Sequence, residues 1–154
     1  MKNFLILLVV FSLISFPACS QKNAPDNVKK EFSQKFAGAR SVKWDSEKPN
    51  EWEAEFKING KEMSACFDDA GKWMETETEI SEKELPAAVV NTLKTEFAGY
   101  KKSLIEIYED TKIKGFELGL KKGETSIEVI FDNAGKVIKK NDVNKENEKE
   151  EKEK

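Results

Sequence analysis

The feature that most constrains the fold is an internal repeat. The segment VKKEFSQKFAG at residues 28–38 resembles VVNTLKTEFAG at 89–99, and FDDAGK at 67–72 resembles FDNAGK at 131–136. Both matches occur in the same order, at shifts of 61 and 64 positions. We interpret this as a tandem duplication, with one unit over residues 25–80 and a second over 81–140. Two copies are typical of a paired domain, because a solenoid needs at least about three repeats.

Each unit is predicted to begin with a helix. Apolar residues recur at every fourth position in both copies: Val28, Phe32 and Phe36, and then Leu85, Val89, Leu93 and Phe97. This spacing places one apolar stripe on a helix, and Gly38 and Gly99 are typical helix ends. Ser81 and Glu84 have the spacing of a capping box, either in the second helix or in a separate short turn before Pro86.

The rest of each unit alternates with period two, which predicts strands. Trp52, Ala54, Phe56 and Ile58 alternate with charged residues, and Asn59-Gly60 is a strong hairpin signal. Each unit therefore reads as a helix followed by four antiparallel strands, in an α+β fold. One sheet face would pack on the helices and the other would meet solvent. Two such units can join edge to edge into one larger sheet.

Both ends of the chain have a different composition. Lys2 precedes an apolar run from Phe4 to Ile14, which has the length of a secretory signal core, so residues 1–20 are predicted to be a signal peptide. Ordinary signal cleavage would occur after Ser20. Alternatively, Cys19 is the lipidated first residue of a lipoprotein, and its lipid would then be the chain's only link to a membrane. Either outcome predicts an exported, periplasmic protein. Residues 141–154 contain almost no apolar side chain and are predicted to be a charged disordered tail.

Composition excludes several functions. The chain contains no histidine, which removes histidine-dependent nucleophilic catalysis and histidine-ligated zinc. A net charge of −3 disfavours nucleic-acid binding. Cys19 and Cys66 are the only cysteines, so no disulfide framework is possible, and Cys66 is interpreted as a half-buried side chain. No cofactor motif is present, and no cofactor is predicted.

Two acidic patterns deserve a functional interpretation. Asp68-Asp69 and Asp132-Asn133 have too few oxygen ligands for a calcium loop and are interpreted as hairpin turns. The second pattern is a set of acids on the solvent side of the predicted strands, with Tyr108 and Ile130 on the same face as candidate anchors. We interpret it as a solvated face that could dock a basic protein or peptide. The candidate binding residues are Glu53, Glu55, Glu62, Glu117, Glu128 and Tyr108.

The order of these motifs resembles a known family. A Leu85-Pro86-x-x-Val89 helix start and a Phe131-Asp132-Asn133-Ala134-Gly135 turn, each with a counterpart in the first unit, resemble the PepSY-like family of exported β-lactamase-inhibitor-like proteins. The resemblance implies two helix-plus-four-strand units in one eight-stranded antiparallel sheet with the helices on one face. In the inhibitor that gives the family its name, the concave sheet face and its loops clamp a target enzyme. None of its target-contacting motifs occurs here, so its contact residues are not transferred.

Three functions follow from these observations. The leading hypothesis is a non-enzymatic binding module that engages a protein or peptide through the open sheet face and hairpin loops, and the acids of that face favour a basic partner. The second is a periplasmic sensor of a small ligand or cation that is gathered by the acids. The third, which the sequence disfavours, is a hydrolase with a carboxylate pair, which requires one acid in a pocket.

Overall fold

The computed structural model describes residues 23–46 and 49–143, in which one helix followed by four strands occurs twice. The first set is α1 (Asp26–Lys35), β1 (Arg40–Asp45), β2 (Glu51–Ile58), β3 (Lys61–Asp68) and β4 (Trp73–Glu79). The second set is α2 (Ala87–Glu96), β5 (Lys101–Asp110), β6 (Lys114–Lys122), β7 (Thr125–Phe131) and β8 (Val137–Asp142). The predicted signal peptide, with Cys19, lies outside the described residues.

All eight strands form one antiparallel sheet in chain order, from β1 to β8, which confirms the predicted fold. The two halves join at β4 and β5, where Thr78 pairs with Ile107. Asn59 and Gly60 both have positive φ angles, 52° and 81°, as a tight two-residue hairpin requires. The Asn-Gly signal in the sequence therefore marks the β2–β3 turn correctly.

Both helices cover the same face of the sheet. Thr78 pairs with Met63 on one side and with Ile107 on the other, so these three side chains share a face. Met63 packs against the core below α1, and Ile107 packs against the core below α2. Since neighbouring residues of a strand alternate between faces, the acids that flank these positions lie on the opposite face.

The core below α1 is mainly aromatic. The ring of Phe32 lies 5.0 Å from that of Phe56 and 5.2 Å from that of Trp44, both in edge-to-face arrangements that aromatic pairs favour. Phe67, at 1% exposure, completes this cluster. The core below α2 is richer in aliphatic side chains, with Leu118 among its fully buried members.

The two Phe-Asp-x-x-Gly-Lys turns have the same geometry and attach the sheet to the helices. Oδ1 of Asp68 accepts hydrogen bonds of 2.9 Å from the N–H groups of Ala70 and Lys72, and Oδ1 of Asp132 does the same for the equivalent turn. The helix contacts differ in detail. Asn27 Nδ2 donates to the carbonyl of Asp69 in the first turn, and Thr92 Oγ1 donates to the carbonyl of Gly135 in the second. The turn interpretation of these acidic residues is supported because the aspartate oxygens bind backbone N–H groups.

The start of α2 and the end of β8 are defined by the structure rather than by the sequence. Ser81 and Glu84 do form a capping box, but it closes a separate 3-10 turn at Glu82–Glu84 before α2 begins. The prediction of a disordered tail from residue 141 is wrong for its first two residues. Asn141 and Asp142 belong to β8, where they pair with Glu128 and Ile127, because backbone hydrogen bonds to β7 order them despite their polar side chains. Residues 144–154 lie outside the described residues.

Candidate protein-binding face

The face of the sheet opposite the helices, which we call the open face, carries most of the acidic side chains of the strands. Its residues occupy alternate positions along β2 to β7. They include Glu53, Glu55, Glu62, Ser64, Cys66, Glu75, Glu77, Glu79, Glu106, Tyr108, Asp110, Glu117, Glu128 and Ile130. All six predicted binding residues therefore lie on this one face.

The strand register divides the predicted residues into two groups. Glu55 and Glu62 lie on β2 and β3 and are exposed, and they form ion pairs with Lys43 and Lys57. Glu53 is partly buried opposite Cys66. The others, Tyr108, Glu117 and Glu128, lie across β5, β6 and β7. The structure thus places an exposed charged pair in the first unit and a more enclosed group in the second.

The expectation that Glu117 is solvated is wrong. Glu117 is only 8% exposed, although it points away from the helices. It lies between Glu106 on β5 and Ile130 on β7, and Ile130 is itself 3% exposed. A central strand of eight has neighbours on both sides, and their side chains cover Glu117 even though no further layer of the described residues packs on this face.

Glu106 is the functional candidate that sequence reasoning missed. It lies directly opposite Glu117 on one side and Glu79 on the other. Its Oε2 atom is buried and accepts no hydrogen bond from the described residues. The alternation of Ile105 and Ile107 around it already indicated its face; its acidic neighbours follow only from the register.

Burial has the largest effect on the pKa values of Glu106 and Glu117. Burial, followed by the charges of Glu77 and Glu117, raises the pKa of Glu106 to about 8. Burial, followed by the charges of Glu77 and Glu128, raises the pKa of Glu117 to about 8 as well. At neutral pH both carboxyl groups are therefore mostly protonated, because water does not solvate the charged form and neighbouring acids repel it.

Glu77 extends this centre towards the first unit. Burial raises its pKa, and the hydroxyl of Ser64, which donates to Oε2 at 3.0 Å, partly offsets that effect. Glu77 faces Ser64 on β3 and Tyr108 on β5. The three carboxyl groups of Glu77, Glu106 and Glu117 thus form the electrostatic centre of the open face, and we call them the acidic centre.

Tyr108 lies beside the acidic centre but is not an exposed anchor. It is 5% exposed, and its hydroxyl lies 2.9 Å from Glu75 Oε2 and 3.0 Å from Asp110 Oδ2. Burial and its hydrogen bond to Glu75 raise its pKa, so the phenol keeps its proton. Its single O–H proton is therefore shared between the carboxylates of Glu75 on β4 and Asp110 on β5, which positions these side chains.

Cys66 also lies on the open face, as predicted, and is buried rather than half-buried. Burial, and then the charges of Glu53 and Glu75, raise the pKa of its thiol. Since the thiolate is the reactive form, this environment makes Cys66 a poor nucleophile and a poor metal ligand. Within the part of the chain that the structure describes, no group of three or more acidic, cysteine or histidine side chains is arranged to hold a metal ion.

Comparisons with known proteins agree with the architecture. A profile of the family described as "Putative beta-lactamase-inhibitor-like, PepSY-like" matches residues 50–139. A solved structure of a BLIP-like protein from Bacteroides fragilis is similar, with a TM-score of 0.68 and 20% sequence identity, over 80% of this chain and 89% of that one. At this identity the likeness shows the fold alone.

A second solved structure, described as "putative periplasmic proteins" from Bacteroides eggerthii, gives a TM-score of 0.69 at 20% identity. It covers 79% of this chain and 91% of that chain. No curated protein sequence matches. Among the described residues, no helix is long and apolar enough to span a membrane.

Proposed function

Because the chain belongs to the PepSY-like, β-lactamase-inhibitor-like family, we propose that it is a non-enzymatic, exported module that binds a protein or peptide through its open face. The observation that carries the proposal is the asymmetry of the sheet. Both helices pack on one face, and the other face keeps a continuous set of acidic side chains with no layer of the described chain above it. Charged surfaces of this kind steer a partner of opposite charge and fix its orientation.

The charge pattern supports a basic partner. Glu55 and Glu62 have side chains that are 63% and 54% exposed, so they remain accessible at one end of the face. The covered acidic centre lies further along the sheet, where a docked surface would exclude water. An exposed rim around a desolvated centre is the usual anatomy of a protein interface.

A hydrolase is a weaker explanation of the same acids. A general acid must act on a substrate that is held in a cleft. A cavity of about 300 Å³ does exist, but it is lined by residues of α2 and of the turn that leads to β5, such as Val90, Phe97 and Tyr100. Neither Glu106 nor Glu117 lines it. The acidic centre therefore fits a docking surface better than a catalytic cleft.

Charge reversal tests the binding face. We would compare the partners captured from periplasmic extract by the wild-type chain and by the E55K/E62K variant, and measure affinity for each purified partner by calorimetry. The E31K/E96K variant is the matched control, because it makes the same charge change at exposed positions of the helices. The proposal predicts that only E55K/E62K weakens binding. Equal affinity of both variants for the partner would overturn it.

The form of the exported protein is a separate part of the proposal. The sequence around Cys19 allows either cleavage after Ser20 or a lipid-anchored Cys19. Mass spectrometry of the mature N-terminus decides between them. A chain that begins at Gln21 is free to diffuse, whereas an acylated Cys19 tethers the open face near a membrane.

A further inference from the structure

We propose that the acidic centre is a receptor for one arginine side chain of the partner, whose guanidinium inserts between Glu106 and Glu117. This inference rests on the proposed function, because it names the chemistry that the partner brings to the open face. It also identifies which part of the face supplies most of the binding energy. The exposed pair Glu55 and Glu62 would serve orientation instead.

The first observation is that one buried oxygen of Glu106 and the covered side chain of Glu117 have no hydrogen-bond partner among the described residues. Oε2 of Glu106 is buried and has no hydrogen-bond donor within residues 23–46 and 49–143. Glu117 is more than nine-tenths buried, and no hydrogen bond or ion pair of the described residues involves it. Buried polar groups in folded proteins are normally satisfied, so the unsatisfied Glu106 oxygen beside the covered Glu117 needs an explanation.

The second observation is the geometry of the pair. Glu106 and Glu117 lie directly opposite each other on β5 and β6 and point to the same face. Cross-strand neighbours of this kind have Cβ atoms about 5 Å apart, and like charges at that distance destabilise a sheet. A planar guanidinium presents several N–H donors in a fixed fork, which matches carboxylates better than a compact ammonium does.

The third observation is that positive charge is scarce around the pair. Acidic groups face it from two strands: Glu75, Glu77 and Glu79 from β4, and Glu128 from β7. Tyr108 adds a neutral phenol from β5 that already donates to other carboxylates. Lys139 on β8 is the one cation among the groups that act on Glu117, and its side chain is exposed. A partner's cation would therefore enter a site that the described chain leaves almost uncompensated.

The three observations together predict a hot spot. Partly desolvated carboxyl groups that lack partners bind an incoming cation strongly once it displaces their protons, because much of their desolvation has already occurred in the free protein. Hot spots also concentrate at the centre of an interface, and arginine is one of the residues enriched there. The Glu106–Glu117 pair meets both conditions.

Binding should also release protons. Both carboxyl groups hold protons at neutral pH in the free chain, since burial raises each pKa to about 8. An inserted guanidinium favours the ionised carboxylates and so displaces protons. An arginine that is attracted only to exposed carboxylates, which are already ionised at pH 7, releases no protons when it binds.

A short peptide with one arginine between neutral residues is the probe, and the same peptide with uncharged citrulline is its matched control. We would titrate each into the full chain at pH 7, follow backbone amide shifts by NMR, and measure heats by calorimetry in two buffers of different ionisation enthalpy. The expected result is saturable binding of the arginine peptide at millimolar concentration or below, with shifts centred on β5 and β6 and proton release. Citrulline should bind more than about tenfold more weakly.

Two double variants locate the site. E106Q/E117Q should lose more than about tenfold in affinity for the arginine peptide, whereas E55Q/E62Q, with the same change in charge, should stay within about threefold. Equal losses in both variants, no proton release from the wild-type chain, or no saturable binding would each overturn the inference. If these tests fail while E55K/E62K, unlike E31K/E96K, still weakens partner binding, the proposed function stands and only the arginine site is wrong.

Discussion

Replacing Glu117 by glutamine should stabilise the protein at neutral pH and have little effect near pH 4. The folded chain raises the pKa of Glu117 from its ordinary value of 4.5 to about 8. Below pH 4.5 the folded and unfolded chains both hold the proton, so the group does not affect stability. As the pH rises from 4.5 to 8, the unfolded chain releases the proton while the folded chain keeps it, and stability is lost. Glutamine has no proton to lose, so it removes this dependence.

The magnitude follows from the shift in pKa. At pH 7 the difference from 4.5 corresponds to at most about 3.5 kcal/mol of lost stability, at about 1.4 kcal/mol per pH unit. Partial access of water to the carboxyl group screens its charge, so we expect about 1 to 2 kcal/mol. Even this smaller value is a measurable fraction of the total free energy of unfolding of a domain of this size, which is about 5 to 15 kcal/mol.

Urea unfolding at pH 4 and pH 7 measures the effect. The difference in unfolding free energy between E117Q and the wild-type chain should grow by about 1 to 2 kcal/mol from pH 4 to pH 7. The control is Glu55→Gln, because the Glu55 side chain is 63% exposed and should show a far smaller pH-dependent gain. A difference for E117Q that does not change with pH, or that reverses sign, would refute the reasoning.

Three further predictions concern the framework that supports the open face. Gly135→Ala should lower the free energy of unfolding by more than about 2 kcal/mol, because the added Cβ would lie 2.5 Å from the Ala88 carbonyl oxygen. Gly123→Ala should lower it by about 1 kcal/mol, since Gly123 also has a positive φ but no atom lies within 4 Å of the added Cβ. Urea unfolding of both variants measures the difference, and equal losses would contradict the prediction. Phe67→Ala should lower the unfolding free energy by about 3 to 5 kcal/mol, because the ring is fully buried in the core below α1, and a loss under about 1 kcal/mol would be inconsistent with that packing. The Cys66 thiol should react with a disulfide reagent much more slowly in the native chain than in urea, since burial raises its pKa, and equal rates would show that the thiol is accessible.

The fold was predictable because its local signals agree with its packing. Val28, Phe32 and Phe36 recur at helical spacing, and Val28 and Phe32 are the buried residues of α1. The alternation around Ala54 and Phe56 likewise identified the buried side of β2. Patterns of this kind report which side of an element faces the core, and that information is local in sequence.

The acidic centre could be predicted only in part, because burial on an open face depends on neighbours that are distant in sequence. Alternation placed Glu117 correctly on the face without helices. It could not show that Glu106 and Ile130, on two other strands, would cover it. The register of three strands determines this, and register is set by turns and by β-bulges such as the one between Lys102 and Leu104.

Composition alone was also a poor guide at the end of the sheet. Asn141 and Asp142 have polar side chains that match a disordered tail, yet they continue β8 through main-chain pairing with β7. An edge strand needs side-chain burial on few positions, so a polar sequence can still complete the sheet. The boundary of the tail therefore depended on backbone hydrogen bonds that no composition window measures.

The most direct test of the central claim is a titration of the glutamate carboxyl carbons of the full chain by NMR. The claim is that the open face holds at its centre two carboxyl groups that are largely desolvated and surrounded by other acids. It predicts that Glu106 and Glu117 titrate with midpoints near 8, far above the ordinary value of 4.5. Midpoints near 4.5 for both residues would contradict the claim, and with it the proposed arginine site.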